Sequence, residues 1–193
     1  MHKVVNNLIS IQNELKIKIK KLNLENYIKR LPKNIAIIYR NYKKNIKKEE
    51  IIKIKNLCRK NKRKFFISNN IKIAIQLNLD GVYIPSFNKD LKINYFTKKK
   101  NFQILGSAHN ILQIRQKERQ RVSCIFLSPI FPTKKSNNFL GIHKFNNLTN
   151  YTKKKIICLG GIKKNNLNKI KLINAYGFSS VSLFEENIKY IRI

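Results

Sequence analysis

The sequence predicts an α/β fold, a compact (β/α)8 TIM barrel, on three observations. Short apolar runs recur along the 193-residue chain, amphipathic stretches of helical length separate them, and no hairpin dipeptide such as Asn-Gly joins two runs. Alternation of this kind favours βα units and a parallel sheet. Eight such units favour a closed barrel, although barrels typically use roughly 250 residues. An open doubly wound sheet is the alternative.

Eight apolar runs are predicted as strands. Seven are short, continuous and not alternating, which is typical of strands covered on both faces. In chain order these seven are residues 34–39, 64–68, 81–85, 102–106, 123–128, 155–159 and 179–184. A weaker run at residues 15–19 is counted as the first strand, so the first βα unit is weakly defined. We therefore expect residues 15–193 to form the barrel and residues 1–14 to be an N-terminal extension.

Four segments between these strands are predicted as helices, because apolar residues recur along one face. They are residues 49–60, 71–77, 111–119 and 166–175. The first is the clearest, with Ile51, Ile54 and Leu57 at helical spacing and Ile52 beside them. No shift in composition marks a linker, so the sequence predicts a single domain over residues 1–193.

The charge of the chain is extreme, with 42 Lys and Arg against 9 Asp and Glu and a formal net charge of +33. A basic surface attracts nucleic acid through counterion release. Lys, Asn and Ile nevertheless dominate throughout, the charge is scattered, and there is no Arg-Gly-rich tail. We therefore favour compositional drift over a nucleic-acid partner as the origin of the charge.

Apolar runs and cysteines exclude several other classes of protein. No uninterrupted apolar run approaches the roughly 18 residues of a membrane span, and the first ten residues lack the pattern of a secretory signal. A cytoplasmic location is the expectation. Cys58, Cys124 and Cys158 lie far apart without a CxxC pair, which argues against a metal cluster or a disulfide framework.

Barrel enzymes place their reacting groups at the carboxyl ends of the strands and in the loops that follow. Arg40 follows the second predicted strand and could contact a phosphate with two hydrogen bonds. The loop at residues 129–136 is stiffened by two prolines and offers Thr133, Lys134 and Lys135. One hydroxyl and two cations suit a diphosphate.

Two further features are open to more than one interpretation. Gly160 and Gly161 end a strand and precede a helix, so their backbone could hold a phosphate, but a tight turn explains them equally well. His109 follows the fifth strand and is either a hydrogen-bonded structural group or a functional side chain. A Ser/His/Asp set cannot be assembled, because Asp80 and Asp90 are the only aspartates.

Five segments occur in an order and at intervals that resemble a known family. They are residues 66–70 (FISNN), 80–84 (DGVYI), 106–109 (GSAH), 128–133 (SPIFPT) and 159–162 (LGGI). From about Ile35 to Phe184 the chain resembles the thiamine phosphate synthase and thiazole tautomerase family, whose members share a (β/α)8 barrel. The resemblance implies a transferase that joins hydroxymethylpyrimidine diphosphate to thiazole phosphate with Mg²⁺, releasing diphosphate.

The resemblance also implies which residues form the site. Catalysis and diphosphate binding fall to Arg40, Thr133 and Lys135. Other substrate contacts fall to Asn69, Ser107, His109, Gly160 and Gly161. The metal positions are Asn70 and Asn88, with Asp90 two residues further on. The sequence departs from the family here, because both expected carboxylates are amides, and asparagine alone is a poor anchor for a hard dication.

Three hypotheses follow from the sequence. The first is a transferase of the thiamine phosphate synthase type, with catalysis impaired by the missing carboxylates. The second is a non-catalytic protein that binds thiamine-related phosphates on the same barrel. The amides at Asn70 and Asn88 favour it, as does Glu185, an anion near the last phosphate contact that the resemblance implies. The third, which we favour least, is association with nucleic acid through the net charge.

Overall fold

The computed structural model describes residues 24–32, 34–42, 47–96, 100–133 and 137–180, and the backbone of residues 8–12. These residues form an α/β fold whose parallel strands curl into a TIM-barrel-like sheet. The strands are β1 (Leu8–Gln12), β2 (Ala36–Arg40), β3 (Phe65–Ser68), β4 (Gly81–Ile84), β5 (Gln103–Ala108), β6 (Cys124–Leu127), β7 (Lys155–Leu159) and β8 (Gly177–Ser180).

Each strand pairs in parallel with the next strand along the chain. The backbone of β1 also pairs with β8, where Leu8 and Ile9 lie opposite Ser179 and Ser180. A doubly wound sheet reverses its strand order at a switch point. The sequential order found here therefore differs from the open sheet considered as the alternative.

Five α-helices lie between the strands in the described part of the chain: α1 (Leu24–Arg30), α2 (Lys48–Lys60), α3 (Ile71–Gln76), α4 (Ile111–Arg119) and α5 (Gly141–Thr149). The predictions for α2, α3 and α4 are confirmed to within a residue, whereas α1 and α5 were not predicted. Asn side chains cap two of the helices, because Asn70 and Asn110 each accept a hydrogen bond from the amide three residues later.

The helix predicted at residues 166–175 is wrong in type. The chain there forms a 3-10 helix at Lys164–Leu172, and a second one occupies Lys92–Phe96 between β4 and β5. Asn165, Asn166 and Asn168 explain the difference, since asparagine competes with the helical backbone for hydrogen bonds.

The predictions at the two ends of the sheet need correction. The structure places the first strand at Leu8–Gln12, within the segment expected to be an extension, and residues 15–19 lie outside the described residues. Residues 15–19 alternate leucine or isoleucine with lysine, which suits a strand covered on both faces poorly. The last strand begins at Gly177, two residues before the prediction, and residues 181–184 lie outside the described part of the chain.

Buried side chains form an inner and an outer layer around the sheet. The inner layer comprises Ile38, Phe66, Tyr83, Leu105, Cys124, Phe126, Ile157 and Leu159. The larger outer layer lies between the strands and the helices and includes Ile37 and Tyr39, which flank Ile38 on β2. Successive residues of a strand point to opposite faces. Burial on both faces explains why the strands read as continuous apolar runs.

Two other sequence-based expectations concern single features. Cys58, Cys124 and Cys158 are buried free thiols, as expected for small apolar side chains. Within the part of the chain that the structure describes, no helix has the length and apolar character needed to cross a bilayer.

Candidate functional site

Most predicted site residues lie at one end of the sheet. Arg40 is the last residue of β2 and Ser107 is the penultimate residue of β5. Asn69, Asn88, His109 and Gly160 lie in the loops that directly follow β3, β4, β5 and β7. Because all these strands are parallel, their carboxyl ends form one rim.

Arg40 is held at the inner side of this rim by two tyrosines. Its guanidinium carbon lies 5.5 Å from the ring centre of Tyr83 and 5.6 Å from that of Tyr42, and its Nε donates to the Tyr42 hydroxyl at 3.2 Å. Burial acts to lower the pKa of Arg40, but the oxygens of Tyr83 and Tyr42 act in the opposite sense and leave the pKa above its ordinary value. Arg40 is therefore a half-buried, permanent cation.

Tyr83 extends this cluster into the barrel interior. Its side chain is 2% exposed and meets the ring of Phe126 edge-on, with 5.3 Å between the ring centres. Burial raises the pKa of Tyr83, although Arg40 and a hydrogen bond with Ser107 act to lower it. The phenol is therefore neutral at physiological pH. Sequence reasoning missed Tyr83, although a tyrosine hydroxyl in a buried strand needs a polar partner and so signals a site.

Asn69 and Asn88 join the loops after β3 and β4. Nδ2 of Asn88 donates to Oδ1 of Asn69 at 2.7 Å. Asn69 has a φ of 56°, in the left-handed region that asparagine tolerates, and its amide donates to the Tyr83 carbonyl at 2.8 Å. Asn69, predicted as a substrate contact, and Asn88, predicted as a metal position, are thus brought together beside the strand that carries Tyr83.

The residues at the predicted metal positions do not fit Mg²⁺. Oδ1 of Asn70 accepts from the amide of Ile73 at 2.9 Å, so this side chain caps α3. Oδ1 of Asn88 accepts from the amide of Asp90, and Oδ1 of Asp90 from the amide of Lys92, both at 2.9 Å. Among the described residues, no three His, Cys, Asp or Glu side chains form a group that could hold a metal ion. Mg²⁺ prefers carboxylate oxygens, and Asp90 alone supplies one here.

Gly160 and Gly161 pack against the loop that follows β6. Their φ angles are 96° and 71°, and a Cβ on Gly161 would overlap the carbonyl oxygens of Pro132 and Phe131. The amide of Phe131 donates to the Gly160 carbonyl at 3.1 Å. Thr133 directly follows Pro132, so the glycine turn and the predicted diphosphate loop are neighbours. Lys135 lies outside the described residues.

His109 links the loops after β5 and β6. Its Nδ1 lies 2.7 Å from the Ser128 carbonyl oxygen and 3.3 Å from Oγ of the same residue. A carbonyl oxygen only accepts hydrogen bonds, so Nδ1 carries the proton. The amide of His109 donates to Oε1 of Gln113 at 2.8 Å. These contacts favour the structural interpretation of His109.

Two buried hydroxyls at the same rim have hydrogen-bonding capacity to spare. Oγ of Ser68 and Oγ of Ser179 are buried and have no hydrogen-bond partner among the residues that the structure describes. Ser68 shares the inward face of β3 with Phe66, two residues earlier. Buried polar groups are nearly always hydrogen-bonded, so each of these hydroxyls can take a further hydrogen-bond partner.

A separate cavity of about 630 Å³ opens at the amino-terminal ends of the strands. Lys62, Lys64 and residues 153–155 give it a basic wall, and Phe66, Leu105 and Ile157 form part of its apolar floor. None of the predicted site residues lines this cavity. The predicted site is therefore the rim at the opposite end.

Comparisons with known proteins agree with the resemblance in the sequence. Residues 19–184 match a family model described as thiamine monophosphate synthase. A thiamine-phosphate synthase of Prochlorococcus marinus is 33% identical over 144 residues, which cover 72% of this chain and 39% of that protein. Another, from Persephonella marina, is 29% identical over 162 residues, which cover 80% of this chain and 77% of that protein.

The chain spans 36% to 43% of the length of the three Prochlorococcus relatives it matches. Among solved structures, thiamine phosphate pyrophosphorylase from Pyrococcus furiosus superposes with a TM-score of 0.72 at 19% identity, covering 93% of this chain and 86% of that one. At this low identity, the superposition supports a shared fold and nothing further.

Proposed function

We propose that this chain, which belongs to the thiamine monophosphate synthase family, joins hydroxymethylpyrimidine diphosphate to thiazole phosphate. The products are thiamine phosphate and diphosphate. The observation that carries the proposal is the pairing, at one rim, of a half-buried guanidinium with a glycine turn beside the Pro132–Thr133 loop. We further propose that eight βα units complete the barrel.

In this proposal the diphosphate of the pyrimidine lies between Arg40 and the loop that contains Thr133. The reaction separates a pyrimidine carbocation from diphosphate, so negative charge develops on the leaving oxygen. A preorganised cation near that oxygen stabilises the transition state more than it stabilises the substrate. Arg40 meets this demand because Tyr83 and Tyr42 hold it in place. Lys135, adjacent in sequence to the same loop, would add a second cation.

The thiazole phosphate would lie at Gly160 and Gly161. Positive φ values allow the backbone of this turn to approach a phosphate closely. Asn166 donates to the Gly161 carbonyl at 2.8 Å and so stabilises the turn. Ser107 and Tyr83 lie on the strands between the two anion sites and would contact the pyrimidine. The thiazole nitrogen captures the carbocation, a step that needs no general base.

Mg²⁺ does not enter this proposal, although the family resemblance implies it. Asn70, Asn88 and Asp90 are each committed to hydrogen bonds within the chain. Neutralisation of the diphosphate would therefore fall to Arg40 and the lysines of the loop after β6.

A second candidate function is non-catalytic binding of thiamine-related phosphates. The observation in its favour is the amide of Asn88, which is bonded to Asn69, at a place where the family resemblance predicts a carboxylate. Tight binding of either precursor without turnover would establish this function. Metal-dependent turnover would exclude it.

A coupling assay with both phosphorylated precursors tests the proposed transferase. Arg40→Met should lower kcat/KM by about 100-fold, the loss typical of removing one preorganised charge-stabilising donor. Arg59→Met is the matched control, because Arg59 is an exposed arginine that donates only to the Asn78 carbonyl, at 3.2 Å. The control should retain kcat/KM to within about twofold, since surface substitutions have small effects. If the chain shows no turnover and binds neither precursor, this result would falsify the proposal.

A further inference from the structure

Lys117 of α4 is completely buried, and its ammonium makes three hydrogen bonds. Nζ donates to the carbonyl oxygens of Pro85 and Asn88, each at 2.8 Å, and to Oε1 of Gln120 at 2.7 Å. Lysine is almost never fully buried unless it is paired. Two of the three acceptors belong to the loop that follows β4, so the Lys117 side chain attaches this loop to α4.

The path of the Lys117 side chain depends on Gly106 of β5. A Cβ on Gly106 would lie 2.9 Å from Cδ of Lys117 and 3.0 Å from Cγ1 of Val122. Only a residue without a side chain leaves room for the lysine stem between α4 and the strand. The contact with Lys117 gives the glycine of the GSAH segment a structural reason.

Two glutamines complete the attachment of the loop to α4. Nε2 of Gln120 donates to the Asn88 carbonyl at 3.1 Å and to the Asp90 carbonyl at 2.9 Å. Nε2 of Gln116 donates to the Lys89 carbonyl at 3.0 Å. Four carbonyl groups of the loop thereby accept hydrogen bonds from Lys117, Gln116 and Gln120.

The number of N–H donors on the Lys117 ammonium equals the number of oxygen acceptors around it. A charged lysine has three N–H donors, and Lys117 has three oxygen acceptors. Burial lowers the pKa of Lys117 to about 8. At physiological pH the cation still predominates, and its charge is stabilised by carbonyl and amide dipoles.

We propose that Lys117 is a positioning residue for the binding of the pyrimidine diphosphate substrate. By fixing the carbonyls of Pro85 and Asn88, it orients the loop so that the Asn88 side chain reaches Asn69, 2.7 Å away. The inference rests on the proposed function, because that function places the pyrimidine at Tyr83, on the strand that leads into this loop. Lys117 itself contacts neither substrate.

Kinetics of Lys117→Met test the role in substrate binding. The KM for pyrimidine diphosphate should rise about tenfold, equivalent to roughly 1.4 kcal/mol. The KM for thiazole phosphate should stay within about twofold, because that substrate is assigned to the Gly160–Gly161 turn. Simple loss of folded protein would lower the apparent kcat and leave both KM values unchanged. Lys53→Met, at an exposed position of α2, is the control and should change neither KM.

Hydrogen exchange tests the same role without any need for turnover. The amides of Asn88, Asp90 and Lys92 are hydrogen-bonded within the loop in the wild-type chain. In Lys117→Met the deuterium uptake of residues 86–92 should be at least about tenfold faster than in the wild type, since a freed loop exchanges by local opening. Uptake of α5 should not change. Unchanged uptake in the loop would overturn the proposal.

Gln120→Glu provides a second variant in case Lys117→Met does not fold. It keeps an acceptor for Lys117 but removes the two donors to Asn88 and Asp90, and should produce the same changes with smaller amplitude. If loop exchange accelerates while both KM values stay at the wild-type level, the positioning role is wrong. If the wild-type chain does not couple the precursors, the proposed function fails, and the exchange experiment still decides whether Lys117 orders the loop.

Discussion

Asn88 donates a hydrogen bond from Nδ2 to Oδ1 of Asn69 at 2.7 Å, and this bond joins the loops after β3 and β4. An amide can donate and accept, whereas an ionised carboxylate only accepts. An aspartate at position 88 would therefore remove the donor of this bond, whereas an aspartate at position 69 would keep the acceptor. Among the described residues, neutral amides join these two loops, and Arg40 is the cation at the inner side of the rim.

Asn88→Asp should weaken binding of pyrimidine diphosphate in the absence of metal. The substitution removes the donor to Asn69 and adds a negative charge beside an anionic ligand. We expect Kd to rise at least about tenfold, which corresponds to about 1.4 kcal/mol. Titration calorimetry in the presence of a chelator measures the change, and Asn147→Asp on the exposed side of α5 is the control. A requirement for Mg²⁺ in wild-type binding would contradict this account.

Gly161→Ala should destabilise the protein far more than Gly141→Ala. The two glycines have similar φ angles, 71° and 68°, so both substitutions carry the same backbone penalty of about 1–2 kcal/mol. A Cβ on Gly141 meets its nearest atom at 3.9 Å, whereas one on Gly161 overlaps two carbonyl oxygens. The difference in free energy of unfolding between the two variants, measured in urea, reports the overlap alone. Equal values would show that the loop after β6 can move away.

Arg63→Lys should lower the free energy of unfolding by about 2–3 kcal/mol, because a single ammonium does not span the three carbonyls that the planar guanidinium reaches, and a carbonyl left unpaired stays buried. Arg63 is 6% exposed, and its guanidinium donates to the carbonyl oxygens of Leu31, Pro32 and Ile35. These bonds tie the end of α1 to the start of β3. Arg59→Lys is the matched control, with an expected change within about 0.5 kcal/mol. The midpoints of urea unfolding, compared at an unchanged m value, measure both changes in the free energy of unfolding.

Lys117 should make stability rise with pH above about 8. A lysine in the unfolded chain titrates near 10.4, whereas burial lowers the pKa of Lys117 to about 8 in the folded protein. Between these values the unfolded chain binds more protons than the folded one, so the free energy of unfolding increases with pH. Below about pH 8 the contribution is constant.

The comparison that isolates this effect is wild type against Lys117→Met at each pH, since other titrating groups cancel in the difference. The stability of the wild type relative to the variant should increase from pH 8 to about 10.5. A flat difference over that interval would mean that Lys117 titrates normally and is accessible to water.

The three thiols should be unreactive in the folded protein. Burial raises the pKa of Cys58, Cys124 and Cys158 to about 12 in each case. Thiolate is the reactive form, and its population at pH 8 is negligible for such groups. A disulfide reagent at pH 8 should modify none of them quickly in buffer and all three in urea. Rapid modification of one thiol in buffer would indicate local opening around it.

The strands β2 to β7 could be predicted because burial on both faces leaves an uninterrupted apolar run, as in the Phe65–Ser68 segment. The first strand, Leu8–Gln12, could not, since Ser10 and Gln12 interrupt it and its identity depends on pairing with residues 28 positions further on. The segment Lys164–Leu172 has helical spacing, and local competition by asparagine decides its form.

The candidate site could be predicted only where it follows the ends of strands. Arg40 and Gly161 are of this kind, because strand ends and turns are visible in the sequence. Tyr83 and Lys117 act through contacts that span 43 and 32 positions of the chain, with Arg40 and Pro85 respectively. Spacing along a chain carries no information about such contacts.

The metal positions show a different limit. The sequence places Asn70, Asn88 and Asp90 correctly in the loops after β3 and β4. It does not show that Asn70 caps α3 or that Asp90 bonds to the amide of Lys92. A side-chain oxygen that accepts a hydrogen bond from a nearby backbone amide differs from one with no such bond, and only the folded structure distinguishes the two.

Strand β5 carries two dissimilar duties on consecutive residues. Gly106 makes room for the stem of Lys117 on the helix side, and Ser107 bonds to Tyr83 on the inside of the sheet. The two residues are adjacent in the chain. A larger side chain on the helix side of β5 would therefore also displace Ser107 on the inside of the sheet. Replacements in α4, remote from both anion sites, would thus tune substrate affinity, and a laboratory search for altered affinity should include that helix.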